Sequence, residues 1–254
     1  MKNNKWNLIG RICLILSCGL FMLFSTMVYA AEYDYTYENV TSNTPYTKKN
    51  KDIRLVYNYN TYNTDLKFKN KKGETVTVSS VGSVITNGEK IYYFKGGTKK
   101  AIMCYTYKNN STKEVLSSKV DRLLGVNGKY LYYYYYNDPG NMKGAMYRYN
   151  LGTKKSKKIS TKLVEQMRSG SKRFVFYDEP GDESKADIFV MDRTGSNIKK
   201  ILKANGATIR NGKVYYWCKV SGKFTVYSCN FKGENKTKVA SYDDYLTMMR
   251  AYGF

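Results

Sequence analysis

Short apolar or aromatic runs alternate with polar stretches along most of the chain, and the clearest copy of the pattern is Asn211 to Ser241, NGKVYYWCKVSGKFTVYSCNFKGENKTKVAS. It reads as a turn, an aromatic strand, a tight turn, a second strand, a polar turn and a third strand. Equivalent openings are Gly88 before KIYYF, Gly128 before LYYYYY, Gly170 before RFVFY and Gly212 before KVYYW, at intervals of 40, 42 and 42 residues. None of these windows carries apolar residues at helical spacing, so a repeat of about forty residues points to propeller blades, not helical repeats. The second strands (AIMCYTY, AMYRYNL, DIFVMDR, FTVYSCNF) are each followed by a turn rich in Asn, Gly and Lys and then by a further short strand (EVLSS, KKISTK, KKILK, KVASY). Asn and Gly accept the positive φ of tight hairpins, in agreement with the strand assignment. A segment before each repeat glycine (GSVITNG, RLLGVNG, QMRSG, ATIRNG) supplies one more strand, making four per unit.

The unit that starts at Asp52 (DIRLVYNYN, TDLKFKNKKG, ETVTVSS) lacks that leading strand. The last residues, KVASYDDYLTMMRAYGF, overlay KKISTKLVEQMRSGS and place Gly253 at the repeat glycine, 41 residues after Gly212. The expectation is an all-β, five-bladed β-propeller over residues 52–254, closed by a C-terminal inner strand at about Tyr245 to Tyr252 that completes the first blade. Closure of this kind removes open sheet edges.

Residues 1–30 resemble an export signal, with Lys2, Lys5 and Arg11 ahead of an apolar run from Ile12 to Met27 and Val28-Tyr29-Ala30 at the cleavage positions. Cleavage near Ala30 is expected, with an uncleaved anchor as the alternative; the run is short for a membrane span. The protein is therefore expected to be secreted or associated with the surface of a bacterial cell. Residues 31–51 are polar and read as a linker or a strap over the domain. Of the three cysteines beyond the signal, Cys218 and Cys229 flank one hairpin, but a turn at Ser221-Gly222 pairs Cys218 with Thr225 or Val226. Buried thiols are expected, not a disulfide framework.

Two stretches carry a family resemblance. ADIFVMDRTGSNIKKIL (Ala186 to Leu202) is similar to the repeat of TolB-type propellers. NGKVYYWCK with the later FKGENKTKVA is similar to lipoprotein-receptor-like propeller repeats of secreted proteins from gut and soil Firmicutes. The resemblance covers roughly Asp52 to Phe254 and implies the propeller fold; the motifs are structural, so it implies no activity. The chain lacks the helical domain that accompanies the TolB propeller, and the YWTD tetrapeptide and cysteine-rich modules of the receptor proteins.

The sequence contains no histidine, which removes Ser-His and Cys-His nucleophile pairs, imidazole bases and His-ligated zinc. No glycine-rich phosphate loop joins a strand to a helix. No catalytic residue, cofactor or metal is assigned. The dense carboxylate group Asp178, Glu179, Asp182 and Glu183 is a weak candidate for Ca²⁺ or for a glycosidase pair. A plain solvated turn is the competing reading, since YNDPGNMKG occupies the same place one unit earlier. Twenty-seven tyrosines, including the run Tyr132 to Tyr136, suggest sugar stacking. Blades covered on both faces also demand aromatic runs, so core packing is the expectation for most, with Tyr57, Tyr59 and Tyr62 the better candidates for exposure.

Charge narrows the choice further: 43 Lys and Arg stand against 20 Asp and Glu, a formal +23. Cations collect between the third and fourth strands of each unit, and the candidate binding residues are Lys71, Lys72, Lys154, Lys155, Lys157, Lys158, Lys199, Lys200, Lys236 and Lys238. On a ring of blades these positions share one face, and such a field attracts anionic polymers or membrane surfaces; a basic surface that only confers solubility is the competing reading. The functional expectation is a non-enzymatic exported binding or scaffold protein that contacts anionic wall polymer, a glycan or a protein, with peripheral membrane contact and no nucleic acid. The alternative is a carbohydrate-active enzyme or lectin using the central depression of the propeller.

Overall fold

A computed structural model describes residues 37–40, 46–48, 51–141, 143–162, 164, 166–169, 173–177 and 184–253. The export segment expected over residues 1–30 lies outside them. The expected alternation appears as five separate antiparallel sheets. The first holds β2 (Arg54–Asn58), β3 (Asn63–Lys69) and β4 (Thr75–Val78). In the second, β5 (Val81–Thr86), β6 (Lys90–Lys95), β7 (Ala101–Thr106) and β8 (Ser111–Ser117) are joined on the β5 side by β1 (Glu38–Val40). The third is β9 (Arg122–Asn127), β10 (Tyr130–Asp138), β11 (Lys143–Asn150) and β12 (Lys155–Ser160). The fourth is β13 (Gln166–Ser169), β14 (Arg173–Tyr177), β15 (Ala186–Asp192) and β16 (Lys199–Ala204), and the fifth is β17 (Gly206–Arg210), β18 (Lys213–Val220), β19 (Lys223–Cys229) and β20 (Thr237–Tyr242). Each four-stranded run is a plain meander.

Turn chemistry fixes the registers. Ser221 and Gly222 both have positive φ (49° and 77°), the backbone of a two-residue hairpin matched to strand twist. The resulting register sets Cys218 opposite Thr225 and Cys229 opposite Val214. Cys104, Cys218 and Cys229 are buried free thiols, as the turn geometry required.

Apolar clusters link each sheet to the next. Leu66 and Phe68 of the first sheet meet Val84 and Tyr93 of the second. Tyr92 and Cys104 meet Leu131 and Tyr149, Tyr132 and Met146 meet Phe174 and Met191, and Ile188 and Leu202 meet Tyr216 and Cys229. Neighbouring residues of one strand thus enter different clusters, which explains the unbroken aromatic runs. Tyr132, Tyr133 and Tyr134 are all buried, so the core reading of this run holds.

The expected closing strand is not formed. Tyr245–Tyr252 is an α-helix, N-capped by Asp244, whose carboxylate accepts from Thr247 N at 2.6 Å, and ended by Gly253 in the left-handed conformation. Its residues Tyr245, Met248, Met249 and Tyr252 are spaced for one helix face. Met248 is fully buried against Trp217 and Val226, with Met249 and Tyr252 packed alongside. The amphipathic spacing therefore outweighs the repeat alignment: the tail covers the outer face of the fifth sheet and does not add a strand to the first. No apolar cluster among the described residues joins the first sheet to the fifth. The polar segment before residue 52 is more than a strap. Glu38–Val40 pairs with Val84–Thr86, and Tyr46 forms an isolated bridge with Ile53.

Two predictions follow from this packing. Met248→Ala leaves a cavity between the helix and Trp217 and is expected to cost about 2–5 kcal/mol, read from denaturant unfolding with tryptophan emission shifting to the red as the helix loosens. Burial raises all three strand thiols, Cys229 to about 11. At pH 8 well under about 1 in 100 Cys229 side chains is then ionised, so these thiols in the native protein should resist an aromatic disulfide reagent and react at the rate of unfolding. Rapid stoichiometric labelling of the native fold would contradict that packing.

Candidate functional site

The turn that ends the third strand is built the same way in four sheets. An Asx side chain closes it: Asn70 Oδ1 accepts from Lys72 N and Glu74 N at 2.9 and 3.0 Å, and Asn230 Oδ1 from Lys232 N and Glu234 N at 2.9 and 3.0 Å. Asn150 accepts from Gly152 N, and Asp192 from Thr194 N and Ser196 N. These hydrogen bonds hold the Asp192 carboxyl below the usual carboxylate range although desolvation opposes them. The turn is thus fixed by one Asx side chain bonded to backbone amides, which frees the intervening lysines to face solvent.

Of the candidate cations, Lys71, Lys72, Lys154 and Lys236 lie in or beside these turns, whereas Lys155, Lys157, Lys158, Lys199, Lys200 and Lys238 stand on the fourth strands themselves, and all ten are exposed. This shifts the expected placement outward, from the connection to the outermost strand. The physical reason is that a fourth strand is a sheet edge, where lysine opposes pairing with another chain. Lys200 is neutralised by Asp187 at 2.8 Å, and this contact lowers the Asp187 carboxyl. The other nine have no salt bridge among the described residues. Arg148 lies directly opposite Lys157 in the β11–β12 ladder, and its guanidinium sits 4.4 Å from the Tyr130 ring centre. Two cations opposed across a ladder repel. The acidic turn Asp178, Glu179, Asp182 and Glu183 lies outside the described residues.

A second feature was not singled out by sequence reasoning. Strands β1, β2, β5, β9 and β13 border a pocket of about 470 Å³ lined by Asn39, Ser83, Asp121, Arg122, Gln166 and Arg168 among others. Asn39 reaches across it from β1 to donate to Met167 O at 3.1 Å. Asp121 is engaged by Lys100 and by Tyr136 N, the latter at 2.8 Å. Arg168 Nε and Ser83 Oγ, by contrast, are buried without a hydrogen-bond partner. The signal available beforehand was polar residues (Ser83, Arg122, Gln166, Arg168) in otherwise apolar leading strands.

No protein-family model and no curated protein sequence matches the chain. Among solved structures it is similar to an oligogalacturonate lyase in complex with manganese, at 11% identity and a TM-score of 0.51 over 70% of this chain and 59% of that one. It is also similar to TolB from Acinetobacter baumannii (12% identity, TM-score 0.46, 75% and 65% covered) and to the β-propeller domain of the Trilobed protease from Pyrococcus furiosus (15%, 0.45, 74% and 78%). The fold is propeller-like. Identities this low concern the fold alone, and the chain spans only 43% of an acylaminoacyl peptidase from Pyrococcus horikoshii and less than two thirds of TolB and of the lyase. A propeller-like fold carries no activity with it, so the site must be argued from its own residues.

Arg168 Nε, buried beside this pocket without a hydrogen-bond partner, carries a stability cost. Arg168→Met keeps the stem and removes the charge, and in the absence of ligand it is expected to raise stability by on the order of 1 kcal/mol. Equilibrium denaturation measures this; a loss of similar size would show that Arg168 is satisfied in the native protein.

Proposed function

We propose that the protein is a binding or scaffold propeller, its five sheets acting as the blades of an open ring, that holds an anionic polymer at the bacterial cell surface through the lysines of its outermost strands. The observation that carries the reading is the set of nine exposed lysines that have no acidic partner among the described residues, while Lys200, Lys99, Lys100 and Lys223 each find one. The densest run, Lys154, Lys155, Lys157 and Lys158, adds the opposed Arg148–Lys157 pair, whose repulsion a bound polyanion would relieve. The export-like segment at residues 1–30 supports a surface location, where wall polymers and acidic lipids are the abundant anions. An exposed cationic strip of this kind acts through its field, so binding weakens as ionic strength rises.

The pocket bordered by the leading strands supports a second reading, a lectin that uses the central depression of the propeller, through Arg168 Nε and Ser83 Oγ, which are buried without hydrogen-bond partners. A glycosidase there would need two carboxylates. Among the described residues that line the pocket only Asp121 is a carboxylate, and it is already held by Lys100 and the Tyr136 amide.

Retention of the purified protein on isolated bacterial cell walls at low salt, compared with a variant carrying Lys154, Lys155, Lys157 and Lys158 changed to Gln, tests the leading reading. The wild type should be retained and released by added salt, and the variant should be retained at least about tenfold less, since several cations act together near the surface. Equal retention of the two proteins would overturn it.

A further inference from the structure

In the first sheet, Leu55, Leu66 and Phe68 face the second sheet, so alternation along the strands turns Arg54, Val56, Asp65 and Lys67 to the opposite face. The ladder agrees, with Val56 opposite Asp65 and Arg54 opposite Lys67. Among the described residues this face, unlike that of the fifth sheet, has no helix laid over it in any of the apolar clusters. The β2–β3 hairpin folds beside it and encloses a hollow of about 370 Å³ bordered by Tyr57, Tyr59, Asn60, Asp65 and Lys67, a size within the range of small-ligand sites.

Three features of this hollow point to a ligand. Asp65 is only 5% exposed. Its Oδ2 receives one long bond of 3.3 Å from Asn58 Nδ2, and its Oδ1 is buried with no donor. A buried carboxylate oxygen left unmet costs roughly 1–3 kcal/mol, and among the described residues no cation is within salt-bridge distance of it. Tyr57 and Tyr59 stand edge to face with ring centres 5.0 Å apart. They are 46% and 79% exposed, in a protein that buries most of its other described tyrosines. Asn58 Oδ1 accepts from Asn60 N at 3.0 Å, so the turn that carries Tyr59 is fixed before any ligand arrives.

The chemistry of the rim selects among ligands. Lys67 opposes a cationic guest and Asp65 an anionic one. A neutral molecule with hydroxyl groups can donate to Asp65 Oδ1, accept from Lys67 and Asn60, and lay an aliphatic ring face on Tyr59. We infer that the hollow formed by Tyr57, Tyr59, Asn60, Asp65 and Lys67 on the uncovered face of the first sheet binds a neutral pyranose glycan. The site is separate from the outer-strand lysines and from the pocket bordered by the leading strands.

Titration calorimetry of the full chain with the tetrasaccharides of β-1,4-linked glucose, N-acetylglucosamine and mannose, and with tetragalacturonate as the anionic control, tests it. At least one neutral tetrasaccharide should bind saturably and more tightly than the uronate. Tyr59→Ala and Asp65→Asn should each weaken that binding by at least about tenfold, while the four-lysine Gln variant leaves it unchanged. Asp65→Asn should also melt no lower than the wild type, because it removes an unmet buried carboxylate; a residue that served the fold alone would show the reverse. Tyr59 is so exposed that Tyr59→Ala reports on binding even if Asp65→Asn fails to fold. No binding of any neutral probe, preference for the uronate, or unchanged affinity in Tyr59→Ala overturns the inference.

Discussion

A sheet of three to five short strands with apolar residues on both faces cannot leave them in water. Everything in this structure follows from how those faces are covered. An isolated sheet of this size buries too little surface to stand alone, so each is sandwiched between neighbours, and the clusters alternate from one side of a strand to the other. Tyr132 packs toward Phe174 while Tyr133, one residue on, packs toward the second sheet. The constraint has one cost, at the first and fifth sheets, which no apolar cluster among the described residues joins. The fifth sheet meets it with the C-terminal helix, whose Met248 seals the surface around Trp217 and Val226. The first sheet meets it differently, by placing Arg54, Asp65 and Lys67 on that side.

How much of this was legible in the sequence depends on how local each signal is. The strands were, because the repeat interval, the aromatic runs and the Asn-x-x-Gly turns each act over a few residues and agree with one another. Asn70 and Asn230 close their turns with nearly identical bonds, and that likeness is visible as Asn-Lys-Lys-Gly-Glu against Asn-Phe-Lys-Gly-Glu. The core role of the tyrosine run and the register of Cys218 were legible for the same reason. The C-terminal helix was misread because the alignment of Gly253 with earlier repeat glycines was weighed above two local signs, Asp244 as an N-cap and the spacing of Tyr245, Met248, Met249 and Tyr252. Here the glycine ends a helix; in the preceding repeats it opens a strand. The pairing of Glu38–Val40 with β5 could not be read at all, since a three-residue edge strand is defined by the partner it meets and not by its own composition.

The charge was legible in amount and only roughly in place. A sequence reading assigns lysines to turns because turns are polar, whereas the structure sets most of the candidate cations on the fourth strands, with one long side open to solvent. An edge strand is exposed to pairing with other chains, and lysine is an effective deterrent. The same residues that guard the edge therefore also create the basic strip, so the strip has a structural reason to exist before any ligand is considered. What the edge role does not require is the opposition of Arg148 and Lys157 in neighbouring strands, or the scarcity of acidic partners for the run that contains it.

Polar groups buried without partners mark where such a fold has departed from the demands of packing. Among the described residues they include Arg168 Nε and Ser83 Oγ beside the pocket bordered by the leading strands, Asp65 Oδ1 at the hollow on the first sheet, and Tyr107 Oη within the cluster between the first two sheets. Each such group carries a cost, because burial removes the water that would otherwise satisfy it. The helix Tyr245–Tyr252 covers one face of the fifth sheet with apolar side chains, whereas Arg54, Asp65 and Lys67 make one face of the first sheet polar.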